Sequence, residues 1–151
     1  MIIEVLSPQR KMAIARAVLE ALPDWFGIEE ARETYIQETQ SETVFANIQG
    51  EQVNGFCALK PTSPDTLEIA VIGVQPSLHR HGIGASLIKA ASQYAMANHY
   101  ALLQVKTIES GYYESYDKTN RFYTSMGFKK LEVFPDLWSP HHPCQIYVLP
   151  L

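Results

Sequence analysis

The chain is poor in cysteine: Cys57 and Cys144 are the only two among 151 residues. Two thiols do not build a disulfide scaffold, and a reducing, cytoplasmic setting is the expected one. No apolar run approaches the ~20 residues of a membrane helix. The opening Met1-Ile2-Ile3-Glu4-Val5-Leu6 lacks the basic start and long apolar middle of an export signal, and reads as a strand. A basic excess is missing too. Twelve Lys and Arg stand against sixteen Asp and Glu, a net charge of −4, which argues against a broad cationic field for nucleic acid. There is no repeat, low-complexity segment or linker. What is there is an ordinary globular balance, 46% hydrophobic and 19% charged, in a length that suits one domain, residues 1–151, with a real core.

Local signals give an order of elements. Ser7-Pro8 fits an N-cap followed by proline at the first helical position, with a helix to about residue 22 and Ile14, Val18 and Leu22 on one stripe. Pro23-Asp24-Trp25-Phe26-Gly27 is a loop, and a second helix is expected over 28–40. Strands are expected over 43–48 and 52–60, joined at Gly50-Glu51, and over 67–74 after a Pro-rich loop. A helix over 85–97, a strand over 101–107, a tyrosine-rich stretch over 108–115, a helix over 116–126 and strands over 128–134 and 145–149 complete the chain. The order β-α-α-β-β-β-α-β-α-β-β argues a mixed α/β sheet. Residues 66–107 should form a right-handed parallel crossover.

Between the third of these strands and its helix lies His79-Arg80-His81-Gly82-Ile83-Gly84. A basic, glycine-punctuated turn opening a helix suits a phosphate. The first backbone N–H groups have no acceptor inside the helix, and its dipole favours an anion there. A dinucleotide fingerprint fails, because Leu87 stands where a third glycine is needed. A Walker loop fails as well, because Ala85-Ser86 follows Gly84. The run resembles the Gln/Arg-x-x-Gly-x-Gly/Ala coenzyme A loop of the GNAT superfamily of N-acetyltransferases, with His79 at the first position. A second segment, Thr119-Asn120-Arg121-Phe122-Tyr123-Thr124-Ser125-Met126-Gly127-Phe128, resembles that family's later helix ending in Phe-Tyr-x-x-x-Gly-Phe. The resemblance spans roughly residues 66–149. It implies a mixed, largely antiparallel sheet with a central parallel pair, and transfer of an acetyl group from acetyl-CoA to an amine.

The resemblance also assigns roles. Residues 79–84 would hold the pyrophosphate, and the backbones of Ile72 and Val74 would pair with the pantetheine arm. Gly73 is then either a strand irregularity or a point of close approach. Tyr123 matches the tyrosine that protonates the departing thiolate; a phenol with an ordinary pKa of about 10 is a proton donor at neutral pH. Its plainer reading is a core tyrosine with a bonded tip. The family's asparagine earlier in this helix has no counterpart near Tyr116, and Thr119 replaces the usual alanine. Glu68, on the strand face of Ala70, Ile72 and Val74, is the candidate base, with Glu109 second; the resemblance equally allows ordered water alone in this role. The plainer reading places Glu68 in solvent. Histidine titrates near neutrality, with an ordinary pKa of about 6.5, so cofactor affinity is expected to rise as pH falls through that region.

The acceptor is the least specified part. Trp25 and Phe26 lie in the loop where relatives commonly bind it, and Tyr112, Tyr113 and Trp138 are further aromatic candidates for an apolar or cationic amine. His141-His142-Pro143-Cys144 has no second cluster at zinc-binding spacing, so no metal is expected. Many relatives are dimers, which leaves a homodimer open. A non-catalytic acyl-CoA-binding module on the same fold is the rival reading, since fold alone does not fix function.

Overall fold

The structure, a computed structural model, describes residues 1–151. Its contacts divide the chain into two compact units. One contains Met1–Lys60 and Ile69–Tyr94, the other Pro61–Glu68 and Ala95–Leu151.

In the first unit β1 (Ile2–Val5) pairs antiparallel with β2 (Thr43–Gln49), and β2 with β3 (Gln52–Pro61). The strand that follows, β4 (Thr66–Val74), is next to β3 in the hydrogen-bonded order. Helix α1 (Pro8–Leu19) starts as its sequence dictates: the Ser7 side chain accepts from Arg10 N–H, and Pro8 fills a position that needs no donor. It ends at Leu19, before the expected residue 22, and Leu22 is buried from the turn beyond. Helix α2 (Glu29–Glu38) continues as a short 3-10 turn to Ser41. Val5, Ile14, Val18, Leu19, Ile36 and Phe56 belong to one buried cluster.

Gly73 explains how closely α1 approaches β4. A Cβ at Gly73 would lie 2.9 Å from Val18 Cγ1 and 3.1 Å from Leu22 Cδ1. The glycine is therefore needed for packing against α1, a reason separate from both expectations. Gly55 on β3 is equally tight: its Cβ would lie 2.8 Å from the Gly73 carbonyl oxygen and 3.3 Å from Ile83 Cγ2. Together the two glycines set how near the end of β4 stands to its neighbours.

In the second unit the first residues of β4 are followed in the hydrogen-bonded order by β5 (Leu102–Ile108), then β7 (His142–Pro150) and β6 (Lys129–Ser139). The β4–β5 pair is parallel, whereas β5–β7 and β7–β6 are antiparallel. The sheet is thus mixed and mostly antiparallel, as expected. Helix α4 (Glu114–Ser125) stops at Met126, and Gly127 takes φ +94°, the left-handed residue that ends a helix. The last hairpin is longer than the sequence announces. The strand expected over 128–134 is β6, which runs on through Pro135 and Asp136 to Ser139. It lies at the sheet edge, where proline costs no ladder bond, and its register shifts between Phe134 and Ser139.

Candidate active site

The loop after β4 is built from backbone constraints. Gln75 N–H donates to the Asn54 carbonyl at 2.9 Å, and Pro76–Leu78 form a 3-10 turn. His79 is extended, Arg80 takes φ +67° and Gly82 takes φ +79°. Helix α3 (Ile83–Ala97) begins directly after, two residues earlier than expected, with Ser86 N–H bonded to the Gly82 carbonyl at 3.0 Å. Gly84 therefore lies in the first helical turn. A left-handed arginine is uncommon, and it turns the chain so that a basic, exposed segment leads into the helix N-terminus. A side chain at Gly82 would meet nothing within 4 Å, so the constraint there is conformational alone.

The His79 ring is tied to the protein. Its Nε2 lies 2.8 Å from the Val74 carbonyl oxygen, and Trp25 meets the ring edge-on at 5.7 Å between centroids. The structure thus brings Trp25, Val74 and His79 together. Phe26 instead packs edge-on against Tyr35 at 5.9 Å. Both aromatics of the loop are half-buried against the core of the first unit.

Glu68 and Tyr123 belong to the second unit. Glu68 is 4% exposed, so the solvent-facing reading fails. Its Oε1 accepts from Lys106 Nζ at 3.1 Å and from Gln104 Nε2 at 2.9 Å. A carboxylate taken from water needs such partners, and β5 supplies both from alternate positions on one strand face. Glu109, the second candidate, uses its own N–H to hold the Pro143 carbonyl at 2.9 Å.

Tyr123 is 3% exposed. Its ring is surrounded by Phe122, Phe128 and Tyr147, with centroids 5.5, 5.5 and 5.8 Å away. One turn earlier stands Asn120, which sequence reasoning passed over. Its Nδ2 donates to the carbonyls of Ile108 and Tyr116 at 2.9 and 2.7 Å, and its Oδ1 accepts from the Tyr147 hydroxyl at 2.6 Å. Burial pushes the Tyr147 phenol up from its ordinary pKa. The signal was available, because Tyr116, Asn120 and Tyr123 share a helix face and a polar residue there needs partners.

The remaining candidates sit at the surface. Tyr112, Tyr113 and Trp138 are exposed. Tyr113 stacks on His142 at 5.8 Å, and His142 Nδ1 is 2.6 Å from Ser139 Oγ. Both cysteines are buried, and burial pushes the Cys57 thiol up to about 12 and Cys144 to about 11. No helix is long and apolar enough to cross a membrane.

Residues 39–130 match the acetyltransferase (GNAT) domain, and the chain belongs to that family of acyltransferases. Its fold is shared with a GNAT-family protein from Desulfovibrio desulfuricans, at TM-score 0.86 and 19% identity over 99% of this chain and 98% of that one. An IAA acetyltransferase from Bacillus cereus aligns over 100% of both chains at TM-score 0.75 and 21% identity. An acetyl-CoA-bound GNAT acetyltransferase from Elizabethkingia anophelis aligns over 87% of this chain and 89% of its own, at TM-score 0.68 and 20% identity. No curated protein matches the sequence.

Proposed function

We propose that residues 1–151 form one acetyl-CoA-dependent N-acetyltransferase domain, which moves an acetyl group directly to a primary amine of a small molecule or peptide. The observation that carries this reading is the loop of residues 79–84. It leaves the end of β4, turns at Arg80 and Gly82 with positive φ, and leads basic side chains into the start of α3, where the first N–H groups of a helix have no acceptor within it. Those features fit a pyrophosphate. The acetyl-CoA carried by the Elizabethkingia anophelis protein on the same fold supports the choice of ligand.

In this reading Arg80, His81, Gly82, Ile83 and Gly84 hold the pyrophosphate, with His79 at the loop's entry. Ile72 and Val74 offer their backbones to the pantetheine arm. The amine nitrogen attacks the thioester carbonyl, the new C–N bond forms and the C–S bond breaks. Tyr123 supplies the proton that the thiolate takes up, and Glu68 receives the proton that the amine gives up. Trp25 and Phe26 face the acceptor, and the edge-on contact of Trp25 with His79 supports that side of the loop. A cytoplasmic enzyme and a homodimer complete the proposal.

Free-thiol release from acetyl-CoA across a panel of primary amines tests it. Turnover is expected with at least one amine. Tyr123→Phe should lower kcat by about 10²-fold or more while leaving acetyl-CoA affinity within about twofold. Cofactor binding without turnover on any amine would favour the non-catalytic module.

A further inference from the structure

Asn120 and Tyr147 form a buried polar pair with no part in the chemistry just described. Three observations give it one. Asn120 is 4% exposed and Tyr147 is fully buried, so neither side chain is a surface contact. The Asn120 amide makes three bonds to three separate elements: the last carbonyl of β5, its own helix, and the hydroxyl of a residue on β7. The Tyr147 ring is at the same time one wall of the Tyr123 cage.

We infer that Asn120 and Tyr147 are positioning residues, which fix the helix carrying Tyr123 against β5 and β7 and so hold the Tyr123 ring where proton transfer requires it. The inference rests on the function proposed above. A helix packed only by apolar contacts can slide or turn by a fraction of an ångström at little cost. Three hydrogen bonds to one amide remove that freedom, because their lengths and directions are specific. Misplacing a reacting group by about 1 Å can cost about 10²-fold in rate. The placement of Asn120 three residues before Tyr123 makes the restraint local to the ring it serves.

The test compares Tyr147→Phe and Asn120→Leu with Val44→Ala, a core truncation in the first unit. All three should lower the melting temperature. Tyr147→Phe and Asn120→Leu should lower kcat about tenfold with KM for acetyl-CoA within about twofold. Val44→Ala should keep kcat at a temperature where it is fully folded. Carbon-13 labelling of tyrosine rings gives a second readout: the Tyr123 ring should flip faster in Tyr147→Phe than in the wild type. Unchanged kcat in both variants, or an unchanged flip rate, overturns the inference. A wild type that turns over no amine refutes the function reading instead, and the flip rate then decides the positioning by itself.

Discussion

Replacing Gly73 by alanine adds one methyl group at a close approach between α1 and β4. The new Cβ would stand 2.9 Å from Val18 Cγ1, 3.1 Å from Leu22 Cδ1 and 3.6 Å from Leu19 Cδ2. Leu22 can rotate a terminal methyl away. Val18 cannot, because a β-branched side chain in a helix has essentially one rotamer, and it is fully buried. Overpacking of this kind costs about 1–3 kcal/mol. Alanine recovers ~0.4–1 kcal/mol through the unfolded chain, since the Gly73 backbone is not left-handed. Taking the middle of each range, the net loss is about 1.3 kcal/mol, or about 3–5 °C in melting temperature for a chain of this length. Urea unfolding reads it as a lower midpoint at unchanged slope. Val18→Ala in the Gly73→Ala background should relieve the clash, so that the double variant is more stable than the sum of the two single losses implies. Gly73→Ala as stable as the wild type, or strict additivity of the pair, would refute the close-approach argument.

The Arg16 guanidinium grips Glu33 with two bonds of 2.8 and 2.7 Å, and Gln37 donates a third at 3.0 Å. These bonds hold the Glu33 carboxyl at about 2, against an ordinary 4.5. The folded-state value is depressed, so the stabilisation is present above about pH 4.5 and fades as pH falls towards 2. Glu33→Gln should therefore differ most from the wild type in melting temperature at neutral pH and converge with it in acid, and the gap should shrink in high salt. Cys57 and Cys144 should resist a thiol reagent at pH 8 in the native protein and both react in denaturant, because burial raises both thiols and closes access.

The parts of the fold legible in the sequence are those governed by local rules. Ser7-Pro8 starts α1, Gly127 ends α4, and the alternation over 43–60 gives the first hairpin, each through chemistry confined to a few residues. The basic, glycine-punctuated turn that leads into α3 was legible for the same reason. Features that depend on a distant partner were not. Glu68 was left between a candidate base and a solvent-facing strand residue, because Lys106 and Gln104 lie more than 35 positions later in the chain. Asn120 took its meaning from Tyr147, and the length of β6 from its place at the sheet edge. The sequence marks His79 as the loop's first residue, but not the Val74 carbonyl and the Trp25 ring that stand against it.

Calorimetric titration with acetyl-CoA tests the central claim most directly, with Gly82→Trp as its partner measurement. Gly82 needs φ +79° and faces open space, so tryptophan there distorts the loop without entering the core. Saturable binding by the wild type, lost in Gly82→Trp while its thermal unfolding stays cooperative, is the predicted result. Well-folded wild-type protein that binds no acetyl-CoA, or a Gly82→Trp variant that binds it equally well, would contradict the assignment of residues 79–84 as the cofactor loop.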